Sequence, residues 1–185
     1  METPLKLFTK AKINTSVPLD QAFERYYPAI FRYFRYRGAD TDTANDLASD
    51  TFEHALRALE RYDARKSQIQ TWLFAIARNL GINHWKSEAI RGSAPLDDDL
   101  PDLDDPPLED GLVLAQDKEQ ILHAIQSLPP RAREILALKF GGPLTNRQIA
   151  ELTGLSEQNV GVILYRTLLK LRDLLTAEKE ARDDR

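Results

Sequence analysis

Apolar residues recur three and four apart through most of the chain, the spacing of helices with one buried face. From Leu19 to Arg37, Phe23, Tyr26 or Tyr27, Ile30 and Phe34 make such a stripe, with Pro28 placed to kink it and Gly38 to end it. Arg32, Arg35 and Arg37 are left on what reads as a solvated outer side. Asp40 or Thr41 can begin a second helix, with Ala44, Leu47, Ala48, Phe52, Ala55, Leu56 and Leu59 inside. RYDARKSQIQ, residues 61–70, reads as a basic loop bearing one aromatic, Tyr62. A third helix follows in TWLFAIARNLGINHWKSE. Trp72, Ile76 and Leu80 share a stripe there with Asn79 and Asn83, and Phe74, Arg78 and Trp85 face elsewhere. Amides beside a buried stripe need backbone or base partners. Trp85, next to Lys86, suits either stacking on a base or plugging the edge of the domain.

After an interruption the helical pattern resumes. LVLAQDKEQILHAIQSL ends before Pro129, Pro130 opens RAREILALKF, and Gly141, Gly142 and Pro143 form a turn. The stretch LTNRQIAELTGLSEQNVGVILYRTLLKLR, Leu144 to Arg172, then has the spacing of a helix-turn-helix. Thr145 and Gln148 make a capping box, Gly154 suits a positive φ in the turn, and Ser156 is an N-cap followed by Glu157. Ala150 stands where the helices approach, and Val160, Ile163, Leu164, Leu168, Leu171 and Leu175 form the inward stripe of the second helix. Gln158, Asn159, Val162, Tyr165, Arg166 and Leu169 fall on or near the opposite side. Gln, Asn and Arg can read base edges or phosphates, whereas Val162 and Leu169 can at most touch thymine methyls.

The predicted fold is all-α: two small helical domains joined by an acidic Pro-rich linker, the C-terminal one a four-helix unit with the helix-turn-helix. The expected boundaries are an N-terminal tail (1–18), a first domain (19–90), the linker (91–111), a second domain (112–177) and a charged tail (178–185). The linker holds four prolines and eight carboxylates against one arginine and cannot bury a core. Its prolines and lack of an EF-hand glycine argue against calcium. Extended, it reaches about 70 Å, or about 20 base pairs of duplex, so two DNA-contacting modules can sit well apart.

Charge modifies this picture. The net −4 of the 185 residues would by itself argue against a nucleic-acid binder, but the acidity is concentrated in the linker. Residues 1–90 sum to +2 and residues 112–185 to +1, so neither module has the excess of a protein that grips DNA alone. On the second helix Asp46, Asp50 and Glu53 line up along one surface, a repelling row that a basic partner would relieve and that otherwise is a solvated face. Cysteine is absent, no run approaches the ~20 apolar residues of a membrane span, and no signal peptide is apparent, so a cytoplasmic protein without membrane insertion is expected.

FERYYPAIFRYF, ANDLASDTFEHAL and TWLFAIARNLGINHWK, followed by LPPRAREILALKF and the helix-turn-helix stretch, resemble regions two and four of the bacterial sigma-70 superfamily, in its extracytoplasmic-function (ECF) type. The resemblance implies a promoter-specificity subunit of RNA polymerase with no catalytic residue, metal or cofactor of its own. It implies that Asp46, Asp50 and Glu53 dock on the β′ coiled coil of core polymerase. Arg61, Tyr62, Arg65 and Lys66 of the loop, with Arg78, Asn79, Asn83 and Lys86, would read and help open the minus-10 element, a flipped base being held after unstacking. The helix-turn-helix, held by the β flap, would read the minus-35 element through Ser156, Gln158, Asn159, Tyr165 and Arg166, and the linker would thread a basic channel of the polymerase. An anti-sigma factor is implied by family habit alone. Gly161, Val162 and Ile163 depart from the basic or polar residues common at those positions. Competing readings are a stand-alone helix-turn-helix regulator on a palindromic site, a polymerase-binding protein without promoter specificity, and a metal-dependent nuclease using the carboxylates. The last is disfavoured because His54, His84 and His123 are isolated.

Overall fold

The computed structural model describes residues 19–91 and 111–183, in which seven α-helices and no strand occur. They are α1 (Leu19–Arg37), α2 (Thr41–Ala58), α3 (Ile69–Arg91), α4 (Gly111–Gln126), α5 (Pro130–Leu136), α6 (Asn146–Thr153) and α7 (Glu157–Asp183). The expected N-terminal tail and the interior of the acidic linker lie outside these residues. The backbone of α7 continues through most of what was read as a charged tail.

The helix boundaries follow local chemistry. The Asp40 carboxylate accepts from the Thr43 backbone N–H at 2.7 Å and starts α2. Gly38, at φ 105°, makes the preceding corner, where the backbone N–H of Gly38 donates to the Arg35 carbonyl. Pro130 opens α5 at a position whose N–H would be unpaired anyway. Beyond α5 the chain widens into a π-helical turn, Ala137–Gly141, that carries it into Gly142. In the helix-turn-helix both halves of the Thr145/Gln148 capping box form, Gly154 sits at φ 72°, and the Ser156 hydroxyl accepts from the Asn159 N–H at 3.2 Å.

Tyr33, Phe34, Phe52, Phe74, Ile30 and Leu73 are fully buried in the first block, as are Ile135, Leu138, Leu144, Ile149 and Val160 in the second. All belong to one continuous apolar core. A smaller cluster of Ile125, Leu128 and Leu136 holds α4 to α5. The two helical blocks foreseen from the sequence are therefore present, and in this structure they are packed on each other.

Three expectations are corrected. Arg35 and Arg37 do not form a solvated basic side. Arg35 is buried, its Nη1 donating to the Ala39 carbonyl at 2.6 Å, and Arg37 lies over the Trp85 ring, 4.4 Å from its centre. On α3 the buried stripe is Leu73, Phe74 and Ala77, with Trp72, Ile76 and Leu80 only partly covered, so Asn79 and Asn83 are exposed and need no protein partner. The stripe rotated because α3 is packed from two sides, α2 taking one and the second block the other. On α7, Leu168 is 43% exposed and Thr167 takes the inward place, its hydroxyl donating to the Ile163 carbonyl at 2.7 Å.

Candidate nucleic-acid and partner interfaces

Asp46, Asp50 and Glu53 are all exposed along the face of α2 opposite its buried Ala44, Leu47, Ala48, Thr51, Phe52 and Ala55. Burial of that apolar side fixes the helix rotation and aims the carboxylates outward. Glu53 pairs with Arg57 one turn on, and His54 Nδ1 reaches the Asp50 carbonyl at 2.9 Å, leaving the Asp50 carboxylate out of that contact. An ion pair this exposed contributes little, so the row remains open to a basic surface.

The loop after α2 is built rather than slack. A 3₁₀ turn at Leu59–Arg61 leads into it, and the Asp63 carboxylate accepts from the backbone N–H, Nε and Nη2 of Arg65, each at 3.0 Å. Those bonds from Arg65 hold the Asp63 carboxyl below the usual carboxylate range. The Tyr62 hydroxyl donates to the Ser67 carbonyl at 3.0 Å, and its ring lies 4.9 Å from that of Trp72. Burial, with Asp63 nearby, pushes the Tyr62 phenol up. Arg61, Arg65 and Lys66 are exposed on this ordered loop.

On α3, Asn79, Asn83 and Lys86 are exposed four and three residues apart and so form one polar row. Arg78 leaves that group: its Nε donates to Glu134 of α5 at 2.9 Å. Trp85 is half-buried against Phe34 and over Gly81, where a Cβ would stand 2.5 Å from the indole. Of its two readings, the structure bears out the plug.

Ser156, Gln158, Asn159, Tyr165 and Arg166 are exposed together at the start and on the outer face of α7, with Val162 among them at 42%. Tyr165 is 67% exposed, a large ring with no described partner ring. Among the described residues no group of three or more His, Asp or Glu side chains could hold a metal ion. Nor is any helix long and apolar enough to cross a membrane.

A further set, not foreseen, lies between the blocks. Glu134 faces Arg37 at 3.5 Å and Arg131 at 3.9 Å in addition to Arg78. Gln148, besides capping α6, donates from Nε2 to Thr71 Oγ1 at 3.0 Å and to Gln68 Oε1 at 3.2 Å. Gln70 Nε2 donates to the Gly142 carbonyl at 2.8 Å. Beside these bonds an open polar cleft of about 460 Å³ runs between Lys66, Gln70 and Thr71 on one side and Thr145, Arg147 and Glu151 on the other. In the sequence, only two adjacent glycines and a glutamate set close to Arg131 and Arg133 hinted at it.

Comparison with known proteins agrees with this division. The profile of sigma-70 region 2 matches residues 22–90 and that of sigma-70 region 4 matches residues 118–171. The chain is 31% identical over 140 residues to the ECF RNA polymerase sigma factor SigF of Caulobacter vibrioides, covering 75% of this chain and 74% of that one. It is 28% identical over 173 residues to the ECF sigma factor BldN of Streptomyces coelicolor, covering 92% of this chain and 65% of BldN. With the sigma factor YlaC of Bacillus subtilis it is 27% identical over 164 residues, covering 88% and 94%. In fold it is similar to the sigma factor RpoE bound to the anti-sigma factor NepR from Bartonella quintana, with a TM-score of 0.71, 19% identity and 84% and 95% of the two chains covered. It is also similar to CnrH in complex with the cytosolic domain of CnrY, with a TM-score of 0.64, 22% identity and 95% and 99% covered.

Proposed function

Because the chain belongs to the sigma-70 family, in its extracytoplasmic-function type, we infer that it serves as a promoter-specificity subunit of RNA polymerase in the cytoplasm and makes no bond itself. Its partners are core polymerase and promoter DNA. The observation that carries this reading is the presence, in one chain and in family order, of three separate exposed faces of different chemistry. The acidic row Asp46, Asp50, Glu53 suits a basic helical pair such as the β′ coiled coil. The loop residues Arg61, Tyr62, Arg65 and Lys66, with Asn79, Asn83 and Lys86, suit a melted minus-10 strand, where cations meet phosphates and amides meet base edges. Arg78, expected among them, is paired with Glu134 in this structure. Ser156, Gln158, Asn159, Tyr165 and Arg166 suit the major groove of the minus-35 duplex, and the β flap is the partner expected to hold that block in place.

The near-neutral charge of both blocks supports delivery by polymerase, since free energy from counterion release is small for so few cations. The complex of one structural neighbour, RpoE, with the anti-sigma factor NepR supports the expectation of an inhibitory partner here too. The test is transcription in vitro from genomic fragments by core polymerase with and without the protein. New discrete start sites are the expected result. Silence, or repression at a palindromic duplex site, would return the chain to the class of stand-alone regulators.

A further inference from the structure

Val162 is an apolar residue set in the middle of a polar face. Its nearest neighbours along the surface of α7 are Gln158 and Asn159 before it and Tyr165 and Arg166 after it, all exposed. Val162 itself is 42% exposed and is packed into neither apolar cluster of the fold. A single exposed valine is ordinary on a protein surface. What sets this one apart is the residue before it.

Gly161 lies in the second turn of α7, where glycine weakens a helix relative to alanine. Its φ is not positive, so the backbone conformation does not call for it. Nor does packing within the fold: a Cβ there would have Asn146 Nδ2 as its nearest neighbour, at the ordinary contact distance of 3.8 Å. Gly141 and Gly142 differ, since a Cβ on them would stand 2.8 Å from the Tyr33 backbone and 2.7 Å from the Phe74 ring. Among the described residues, the room left at Gly161 has no use.

The two observations fit together through reach. Gln, Asn, Tyr and Arg have long side chains and can touch a base edge from a helix that rides high in a groove. Valine is short, so it touches a base only where the helix lies deep. A side chain at the neighbouring position, on the flank that faces Asn146 of α6, would prop the helix off the groove wall, and a bare glycine does not. An apolar side chain that reaches the floor of a major groove finds one apolar feature there, the C5-methyl group of thymine.

We propose that Val162 is a specificity-determining residue that reads a thymine of the minus-35 element through its C5-methyl group, and that Gly161 gives the close approach that so short a side chain needs. The element then holds an A·T pair in one orientation at a fixed place, next to the pairs addressed by the polar side chains around Val162. The inference rests on the sigma reading above, and its test separates the two.

Holoenzyme formed from core polymerase and the full chain is assayed on a promoter taken from the start sites that it produces on genomic fragments. Each thymine of the minus-35 element, on either strand, is replaced in turn by deoxyuracil, which removes the methyl and leaves the hydrogen-bonding edges as they were. At sub-saturating holoenzyme, one such replacement is expected to lower promoter binding about three- to five-fold, the loss carried by one buried methyl. Val162→Ala should lower binding to the natural promoter by a similar factor and show no further loss at that thymine. Alanine suits an exposed helical position, so this variant should melt no lower than the natural chain and pull down core polymerase equally well. Promoter binding indifferent to every methyl, or a loss at that thymine as large in Val162→Ala as in the natural chain, would overturn the proposal. Gly161→Ala checks the approach independently. It should melt higher, because alanine strengthens the helix, yet its holoenzyme should bind the promoter about ten-fold more weakly through overpacking against the groove. Undiminished promoter binding in Gly161→Ala would overturn the close approach. A holoenzyme with no discrete start site on any fragment would instead overturn the sigma reading, and the proposal with it.

Discussion

The helix-turn-helix turns its proposed reading face to solvent, whereas part of the face proposed for the first block lies against the second block. Gln158, Asn159, Tyr165 and Arg166 stand clear of other elements on α7, while Arg78 on α3 is spoken for by Glu134. The two blocks also differ in how they hold their shape. Tyr33, Phe34, Phe52 and Phe74 give the first a core of rings, edge-on at 4.8 to 5.8 Å where Phe23 meets Phe52, Tyr33 meets Phe34 and Tyr33 meets Phe74. The second relies on aliphatic side chains and on local devices, a capping box and a left-handed glycine. A unit that reads rigid duplex needs only a well-placed helix. A unit that captures a melted strand needs several groups from a loop and a helix held together.

The comparison breaks most sharply at the acidic row. Asp46→Lys with Asp50→Lys puts like charges against a basic partner, which costs several kcal/mol, about 100-fold or more in affinity for core polymerase. Because both residues are exposed, thermal stability should shift by only about 0.5 kcal/mol. Unchanged pull-down of core polymerase by this double variant would remove α2 from the docking face.

Next in size is the shared core. Phe52→Ala empties a fully buried ring site and is expected to cost about 3–5 kcal/mol. Since Phe52 lies in the same apolar cluster as Val160 and Leu164, denaturant unfolding of the natural chain should be one transition seen alike by Trp72 and Trp85 fluorescence and by helical circular dichroism. Two separated transitions would show that the blocks are only lightly joined.

A smaller effect sharpens the contrast between block-wide and local stabilisation. Gly154→Ala forces a side chain to φ 72° with nothing crowding its Cβ, so the loss is backbone strain alone, about 1 kcal/mol. It should weaken minus-35-dependent transcription while leaving core binding untouched. Thermal melts with a paired Thr145→Ala variant, expected at about 1 kcal/mol from loss of the cap, would check that the turn and the cap act separately.

The mildest prediction concerns pH. Burial pushes the Tyr33 phenol above its ordinary value, so in the alkaline range the unfolded chain releases a proton that the folded chain keeps. This contribution to folding stability is then fully present below about pH 10 and is lost as pH rises beyond it. Tyr33→Phe, which also removes the unpartnered hydroxyl, should flatten that decline in a pH series of melts. An equal decline in Tyr33→Phe would assign the alkaline loss to other groups.

The amino-acid sequence by itself determined the seven helices, their caps and turns, the acidic row and the polar face of α7. Each of those depends on residues within a few positions of one another, through periodicity, a side chain capping its own helix, or a glycine at its own φ. The family likewise followed from local stretches in a fixed order. Only the tertiary structure decided the rotation of α3, the burial of Arg35, the seat of Arg37 over Trp85, and the roles of Glu134, Gly141, Gly142 and Gln148. Periodicity assumes one buried face per helix, and α3 has two neighbours, so Asn79 and Asn83 were turned outward where the pattern had placed them beside the core. A glycine pair reads as a turn in any sequence. That its missing side chains admit the backbone of Tyr33 and the ring of Phe74 is a relation between residues about 70 to 110 positions apart, and no rule of local spacing reaches that far.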